Sequence, residues 1–524
     1  MDGAEDPAVL SIVSNTTLVL ITTTIAVFLY FIFNHALRSE TWEKYGVKQA
    51  NVGLMEPAAM AEMVLKEHGD TVGVTRPRMF LITRDLDLLK KILVKDFNNF
   101  SDRWYKIVST SPASRGVFFL DGVDWKRIRQ LMSPSFSTGK LKQISSHVQT
   151  SALRLSEAVQ TCARSNKLVK VRHLAGQYAT SIIARTAFGL HTDCIGEEAD
   201  DQFTYSAKNM FKVRSKLGRL VILALLKFPT LHHFIVNTLR VPFIDEAVPA
   251  ARDYLNAALE HAIAERERAE QEGGVALHND FLQSLVSCKV TAEAAQQESK
   301  QNKSEAASKK IITNKEIMNQ SAFIILAAFE TTTTTLQFML YFLARHPDVQ
   351  EKVYEEIRAV VESEQPTHAE LARLSYVEQV IDETLRLYPP VPHVTRNTLE
   401  TRTYGSITIP AGTTVLVPIR DVHRDPKVYT DPDKFNPDRF SKENKANRDP
   451  MSFMPFGWGP RLCIGMRLAY LELKIGLVQI IRHVSLELND TTVPRVGGEA
   501  NVVYRGFPQV NPAIEVCAKL RCSQ

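Results

Sequence analysis

Hydrophobic and polar positions divide this chain into a charge-free leading stretch and a long body of mostly helical period. Ala8 to Asn34 carries no charged side chain, and Leu18 to Phe33 is strongly apolar. At 1.5 Å per residue, about 25 helical residues reach roughly 37 Å, enough to cross a bilayer core with some tilt. The pattern predicts a luminal tail over 1–9, a transmembrane signal anchor over 10–34 and a short amphipathic connector over 35–70. Val72 to Thr83 alternates and carries β-branched residues, which predicts a small hairpin. From Asp85 to Leu340 the 3.6-residue period dominates, and Ile317 to Phe342 is the longest run of buried character. Lys289 to Ser308 is polar, rich in Gln, Glu, Lys and Ser, and predicts a loop. Gly405 to Pro418 returns to strand-like residues, Tyr429 to Asn447 is turn-rich, and Met466 to Glu487 is helical again. No repeat and no plain linker divides 71–524, which reads as one mostly α domain with a small β part.

Charge orients the leading segment. Asp2, Glu5 and Asp6 precede it, whereas Arg38, Lys44 and Lys48 follow. The positive-inside tendency places the N-terminus outside or in the lumen and the body in the cytosol. A cleaved signal peptide fits less well, because the leading residues are acidic and the apolar stretch is long. Thr16, Thr17 and Thr22 to Thr24 dilute its hydrophobicity. The 44% hydrophobic content suits a globular core, and a net charge of +5 over 524 residues marks no nucleic-acid binder. The six cysteines form no CxxC pair and no zinc spacing, and five of them read as unpaired thiols in a reducing compartment.

One of those cysteines sits in Phe456-Gly457-Trp458-Gly459-Pro460-Arg461-Leu462-Cys463-Ile464-Gly465. A thiolate is a stable iron ligand only if its charge is neutralised and water is kept away. Gly457 and Gly459 let the backbone bend so that amides can point at the sulfur, and Gly465 lets the next segment approach a flat macrocycle. Phe456 would pack on the proximal face and Arg461 would reach an anionic propionate. A structural thiol in an ordinary turn is the competing reading. These residues resemble the haem-binding loop of the cytochrome P-450 superfamily. The resemblance implies that family's fold, haem b with Cys463 as the metal ligand, and oxygen chemistry.

Three further constellations fit that resemblance. Glu383 and Arg386 fall three apart on one helix face and can pair. With Arg439, in Phe435-Asn436-Pro437-Asp438-Arg439-Phe440, they match the family's buried network on the proximal side, a structural role. Trp125 and Arg129 share a face four residues apart, where indole and guanidinium could meet one propionate. The resemblance adds Arg396 and Arg103 as further propionate partners. In Ala327-Ala328-Phe329-Glu330-Thr331-Thr332, an acid and an alcohol interrupt an apolar helix, a costly placement unless they serve water or ligand. The family places such a pair over the distal haem face to deliver protons, so Glu330 and Thr331 are the candidate catalytic pair. Ala328 departs from the glycine usual there. Helical threonines that bond back to carbonyls are the bland alternative, expected of Thr333 and Thr334.

Ser133 to Leu141, Phe329 to Thr332, His423 to Pro426 and Pro460 to Arg467 resemble the animal microsomal family 3 enzymes and thromboxane synthase. This implies a monooxygenase of the endoplasmic reticulum membrane acting on a lipophilic substrate: a steroid, fatty acid or xenobiotic. Electrons would come from NADPH through NADPH-cytochrome P-450 reductase, with cytochrome b5 as a further partner. Lys126 and Arg127 are candidates to meet the reductase. The expected pocket runs from Tyr105 to Phe119, past Phe323, Leu326 and Ala327, by Val391 to Val394 and near Val502 to Tyr504. Val221 to Phe243 is apolar enough to dip into a membrane surface, and a core helix pair fits it almost as well. Tyr45 to Ala58 holds only Pro57 where the family carries a proline-rich hinge. A thiolate-haem isomerase of a lipid peroxide is the alternative enzyme, and Thr331 counts against it. A haem-binding or sterol-carrier protein would need no acid and alcohol pair.

Overall fold

The computed structural model describes residues 41–53, 55–75, 79–104, 112–192, 194–198, 200–210, 248–272, 280–289 and 312–521. The expected anchor over 10–34, the stretch Val221 to Phe243 and the interval 290–308 lie outside them. The main helices are α1 (Pro57–His68), α2 (Gly122–Met132), α3 (Thr138–Arg164), α4 (Val171–Phe188) and α5 (Pro249–Gln271). They continue with α6 (Asn314–Arg345), α7 (Pro347–Val360), α8 (Ser375–Leu387) and α9 (Met466–Ile481).

α6 is the axis of the domain. It spans 32 residues and is apolar almost all round, so it is stable only with neighbours on every side. Its start is a capping box: the Glu316 amide donates to Thr313 Oγ1 at 3.2 Å, and the Thr313 amide donates to Glu316 Oε2 at 2.9 Å. It stops at His346, because Pro347 lacks the N–H that would continue the ladder and opens α7 at its first turn. Near that end, aromatic rings stack across elements. Phe338 lies 4.1 Å from Tyr388, and Phe342 lies 4.2 Å from Phe435, both pairs nearly parallel. These contacts tie α6 to the segment that carries Arg439. Among the described residues α6 is also the one helix long and apolar enough to cross a membrane, but 78% of its most apolar window is buried in the protein.

A five-stranded sheet flanks the helices in the order β1 (Lys48–Ala50), β2 (Thr71–Val74), β3 (Phe80–Thr83), β8 (Thr414–Val417) and β5 (Val394–Asn397). The predicted hairpin is β2 and β3, antiparallel with Val72 opposite Ile82. Within the connector expected over 35–70, Lys48–Ala50 joins this sheet as β1, parallel to β2, and Pro57–His68 forms α1. Trp42 is fully buried, and its Nε1 donates to Val74 O at 3.2 Å. Its indole lies across Gly73, where a Cβ would collide with the ring. Small pairs β6 (Arg402–Tyr404) with β7 (Ile407–Ile409), and β10 (Val502–Arg505) with β11 (Phe507–Val510), complete the β part with a three-stranded sheet. That sheet orders β4 (Val169–Lys170), β12 (Glu515–Leu520) and β9 (Val484–Glu487). The helix expected to reach Glu487 therefore ends at Ile481. Val484 to Glu487 alternates buried and half-buried, and pairs with β12 instead.

Candidate active site

The loop before α9 closes on its own backbone. The Cys463 amide donates to Phe456 O at 3.0 Å, and the Gly457 amide donates to Met454 O at 2.9 Å. Gly457 and Gly459 have φ of 76° and 74°, a region that costs little only for glycine. At Gly459 a Cβ would also run into the carbonyl of Leu93, so the loop can nest against the turn Lys91–Lys95. This bend is the one expected of the two glycines. It turns Cys463 into a cavity of about 430 Å³ bounded by α2, α6, α9 and β5.

Arg103, Trp125, Arg129, Arg396, Phe456, Arg461, Cys463 and Gly465, separated by hundreds of residues in the chain, all line this one cavity. Arg129 donates to Leu462 O at 2.8 Å, which ties α2 to the cysteine loop. The Arg461 guanidinium stacks over Trp125 at 4.4 Å and donates to Leu120 O at 2.7 Å. Arg103 donates to Phe118 O at 3.2 Å, and Arg396 donates to Thr395 O at 2.9 Å.

The charges do not balance. Arg103, Arg396 and Arg461 are each less than a tenth exposed, and Asp121 is 3.9 Å from Arg461. Nε of all three, and Nη1 of Arg461, are buried without a hydrogen-bond partner. Burial, then repulsion from neighbouring guanidinium groups, drives Arg396 down to about 9 and Arg103 well below the ordinary value, and burial drives Arg461 down to about 10 against the opposing pull of Asp121 and Asp102. Guanidinium nitrogens buried without a partner are costly, and an anion in the cavity would satisfy them. Burial pushes the Cys463 thiol up, while the amides of Gly465 and Met466 and the charges of Arg129 and Arg103 pull it down. A flat dianion with a metal centre fits this donor set, because it would satisfy the guanidinium groups and turn the thiol into a ligand.

A second group locks the side away from the cavity. Glu383 and Arg386 are both fully buried and paired through two bonds, Nε to Oε2 at 2.6 Å and Nη2 to Oε1 at 2.8 Å. Arg386 also donates to the carbonyls of His423, Pro432 and Lys434. Arg439 joins at the rim, with Nε 3.4 Å from Glu383 Oε1. His423 carries no role in the sequence reading, yet its Nε2 accepts the Met454 amide at 2.8 Å, just upstream of the cysteine loop. Burial and the Arg386 charge push its pKa down to about 3, which keeps the ring neutral.

On α6 the candidate catalytic pair splits. Thr331 and Ala328 line the cavity. Glu330 is not among the described residues that line it; its carboxylate takes 2.8 and 3.1 Å bonds from Arg172 Nη2 on α4. Back-bonding falls on Thr331, to Ala327 O at 2.7 Å, and on Thr335, to Thr331 O at 2.9 Å. Thr333 and Thr334, expected to make such bonds, have buried hydroxyls with no partner. Gln320, also missed, accepts the Val117 amide at 2.7 Å and donates to Arg115 O at 3.2 Å, which docks the 112–120 segment onto α6. Phe118, Phe119, Phe323, Leu326, Ala327 and Val391 to Val394 line the pocket as expected. Gly506 and Phe507 at the β10–β11 turn take the place expected of Val502 to Tyr504, and Tyr105 to Ser111 lie outside the described residues. Arg127, expected to face a redox partner, is engaged by Glu316 and by Asp124 at 3.8 Å, whereas Lys126 is exposed.

A profile of the cytochrome P450 family matches residues 47–508. The chain belongs to the cytochrome P450 family. Similar relatives include cytochrome P450 3A14 of Cavia porcellus, 32% identical over 446 residues and 83% of each chain. Cytochrome P450 3A30 of Fundulus heteroclitus is 31% identical over 432 residues, 82% of each chain. Probable cytochrome P450 6a14 of Drosophila melanogaster is 30% identical over 433 residues, 80% of this chain and 81% of the relative's. Cytochrome P450 enzymes are monooxygenases that bind haem b through a cysteine thiolate, and the cavity of this P450 holds one cysteine among buried cations.

Proposed function

We propose that this chain is a membrane-anchored monooxygenase that inserts one oxygen atom of O2 into a lipophilic substrate: a steroid, fatty acid or xenobiotic. Electrons come from NADPH through NADPH-cytochrome P-450 reductase, with cytochrome b5 as a second donor. One observation carries the reading: Cys463 opens into an apolar cavity beside three buried arginines whose Nε atoms have no hydrogen-bond partner. Cys463 would hold the iron, Arg103, Arg129, Arg396 and Arg461 with Trp125 would hold the propionates, and Phe456 and Gly465 would flank the proximal face. The bound haem supplies activation of dioxygen. Phe118, Phe119 and Phe323 exclude water and favour an apolar guest. Thr331 holds a water in the groove beside Ala328, and Glu330 passes it a proton when its bond to Arg172 opens.

The acidic lead and basic follow-on residues support an endoplasmic reticulum anchor over 10–34 with the body in the cytosol. The test is turnover of a panel of steroids, fatty acids and xenobiotics with NADPH and purified reductase. Oxygenated product that requires both supports the reading. Rearrangement of a lipid endoperoxide without reductase, and no oxygenation, would replace it with the isomerase.

A further inference from the structure

Among the described residues, the carboxyl and imidazole groups that line the cavity are those of Asp280, His393 and Glu472. Two of these are already committed. Asp280 is paired to buried Arg266 through bonds of 2.7 and 3.1 Å. Burial pushes His393 down to about 4, which leaves it neutral with no proton to give. Glu472 is different. It lies on α9 with 3% of its surface exposed, and no cation compensates it among the described residues. Its hydrogen-bond partner is the Thr332 hydroxyl, which donates to Oε2 at 2.9 Å. Thr332 follows Thr331 directly on α6, and all three residues line the same cavity.

The surroundings favour a neutral acid at this point. From α4, the Tyr178 hydroxyl donates to the Glu472 backbone carbonyl at 2.8 Å, and burial keeps that phenol protonated. From α8, the nearby lining residue is Leu385. On α9 itself, Lys474 turns to Glu378 at 2.8 Å and Tyr470 turns to Asp382 at 2.6 Å, so neither serves Glu472. Burial raises the carboxyl to about 7, against the modest opposing pull of the Thr332 bond.

We propose that Glu472 is a proton reservoir of the site, held beside the Thr331 groove by its bond from Thr332. This rests on the monooxygenase reading. In the step, the Glu472 O–H bond breaks and its proton passes to a cavity water on the Thr331 side, which gives up one of its own to the dioxygen under reduction and so stays water. The carboxylate keeps the bond from Thr332 and is reprotonated by hydronium from bulk solvent, relayed through water entering the cavity. Glu330, bound to Arg172 off the cavity wall, then need not be the sole source.

The test uses the haem-loaded full chain. Infrared difference spectra across pH should show the carbonyl band of a buried carboxylic acid that titrates near pH 7. Glu472→Gln, which keeps an acceptor for Thr332, should lose that band with the haem spectrum intact. Thr332→Val should move its midpoint upward, because a bond that favours the carboxylate is gone. In turnover, wild-type product per NADPH should fall as pH rises through the midpoint, the acid form declining about tenfold per unit above it. Glu472→Gln should be lower at acid pH and lack that limb. A band retained in Glu472→Gln, an unmoved midpoint in Thr332→Val, or a wild-type pH profile in Glu472→Gln would overturn the proposal. Absence of NADPH-dependent product in all three proteins would overturn the monooxygenase reading, while the infrared titration would still decide the acid.

Discussion

Arg172 holds Glu330 through a single guanidinium nitrogen, at 2.8 and 3.1 Å, one residue before Thr331 turns into the cavity. The acid and the alcohol are neighbours in sequence but face different environments. Thr331→Ala removes the hydroxyl that can hold a delivering water. NADPH consumption should continue while product per NADPH falls and hydrogen peroxide rises. Assistance by a positioned acid is commonly worth about 10²–10⁴-fold, so the change should be plain in paired assays of NADPH, product and peroxide. Ala328→Gly should act in the opposite sense by opening the groove. Unchanged coupling in Thr331→Ala would remove this residue from proton delivery.

Cys463→Ser tests the ligand. The reduced wild-type protein with carbon monoxide should absorb at the long-wavelength Soret position that marks thiolate ligation. The variant should lose it, because a neutral hydroxyl is a poor iron ligand. A spectrum that survives the substitution would move the ligand elsewhere.

Arg396→Leu tests the anion site. Arg396 is buried with an unpartnered Nε, and a hydrogen bond to a charged group is worth about 1.5–3 kcal/mol. Haem should leave the variant about 10–100-fold faster, as followed by transfer to an excess of a haem-scavenging globin. Equal transfer rates would place the propionates away from this residue.

Glu383→Gln tests the proximal lock. Removing one charge of a fully buried pair strands Arg386, which typically costs about 3–5 kcal/mol. Urea unfolding of the haem-loaded protein should show that loss in the midpoint. A change below about 1 kcal/mol would mean that the surrounding carbonyls alone suffice for Arg386.

His423 gives a pH prediction. Its folded value of about 3 lies below the ordinary value near 6.5. Between those two values the unfolded chain binds a proton that the folded chain does not. Stability is therefore full above about pH 6.5 and falls by about 1.4 kcal/mol per unit as pH drops toward the folded value. His393, pushed to about 4, acts over the same window. His423→Gln can still accept the Met454 amide and should reduce the slope by about one proton, measured as urea midpoints at successive pH values. An unchanged slope would assign the acid sensitivity to other groups.

Much of the site was legible because its requirements are local. The cysteine loop needs its glycines, arginine and cysteine within ten residues, and an apolar run as long as Ile317 to Phe342 reads as a buried helix. Arg103 and Arg396 were reached through resemblance, since nothing near Arg396 in sequence says that its Nε is buried without a partner. Arg172 and Glu472 escaped for a physical reason. Their partners, Glu330 and Thr332, lie 158 and 140 positions away, and sequence periodicity carries no information about which helix faces pack together. Residues 41–70 lacked a strand signal, because β1 is three residues long and owes its place to pairing with β2. Val484 to Glu487 was drawn into a helix for the same reason: four residues fit either period, and β12 decides between them.

The buried arginines also bear on the life of the protein before it acts. A chain that folds around several buried positive charges stores repulsion until its counter-ion arrives, so its cofactor is a folding ligand as well as a reagent. Anything that binds only the folded form stabilises it by RT ln(1 + [L]/Kd). The steady amount of this protein in a cell should then follow haem supply, with newly made chains left open to proteases when haem is scarce. On the proposed assignment, the guanidinium groups that would hold the haem would also act as a checkpoint on chain maturation.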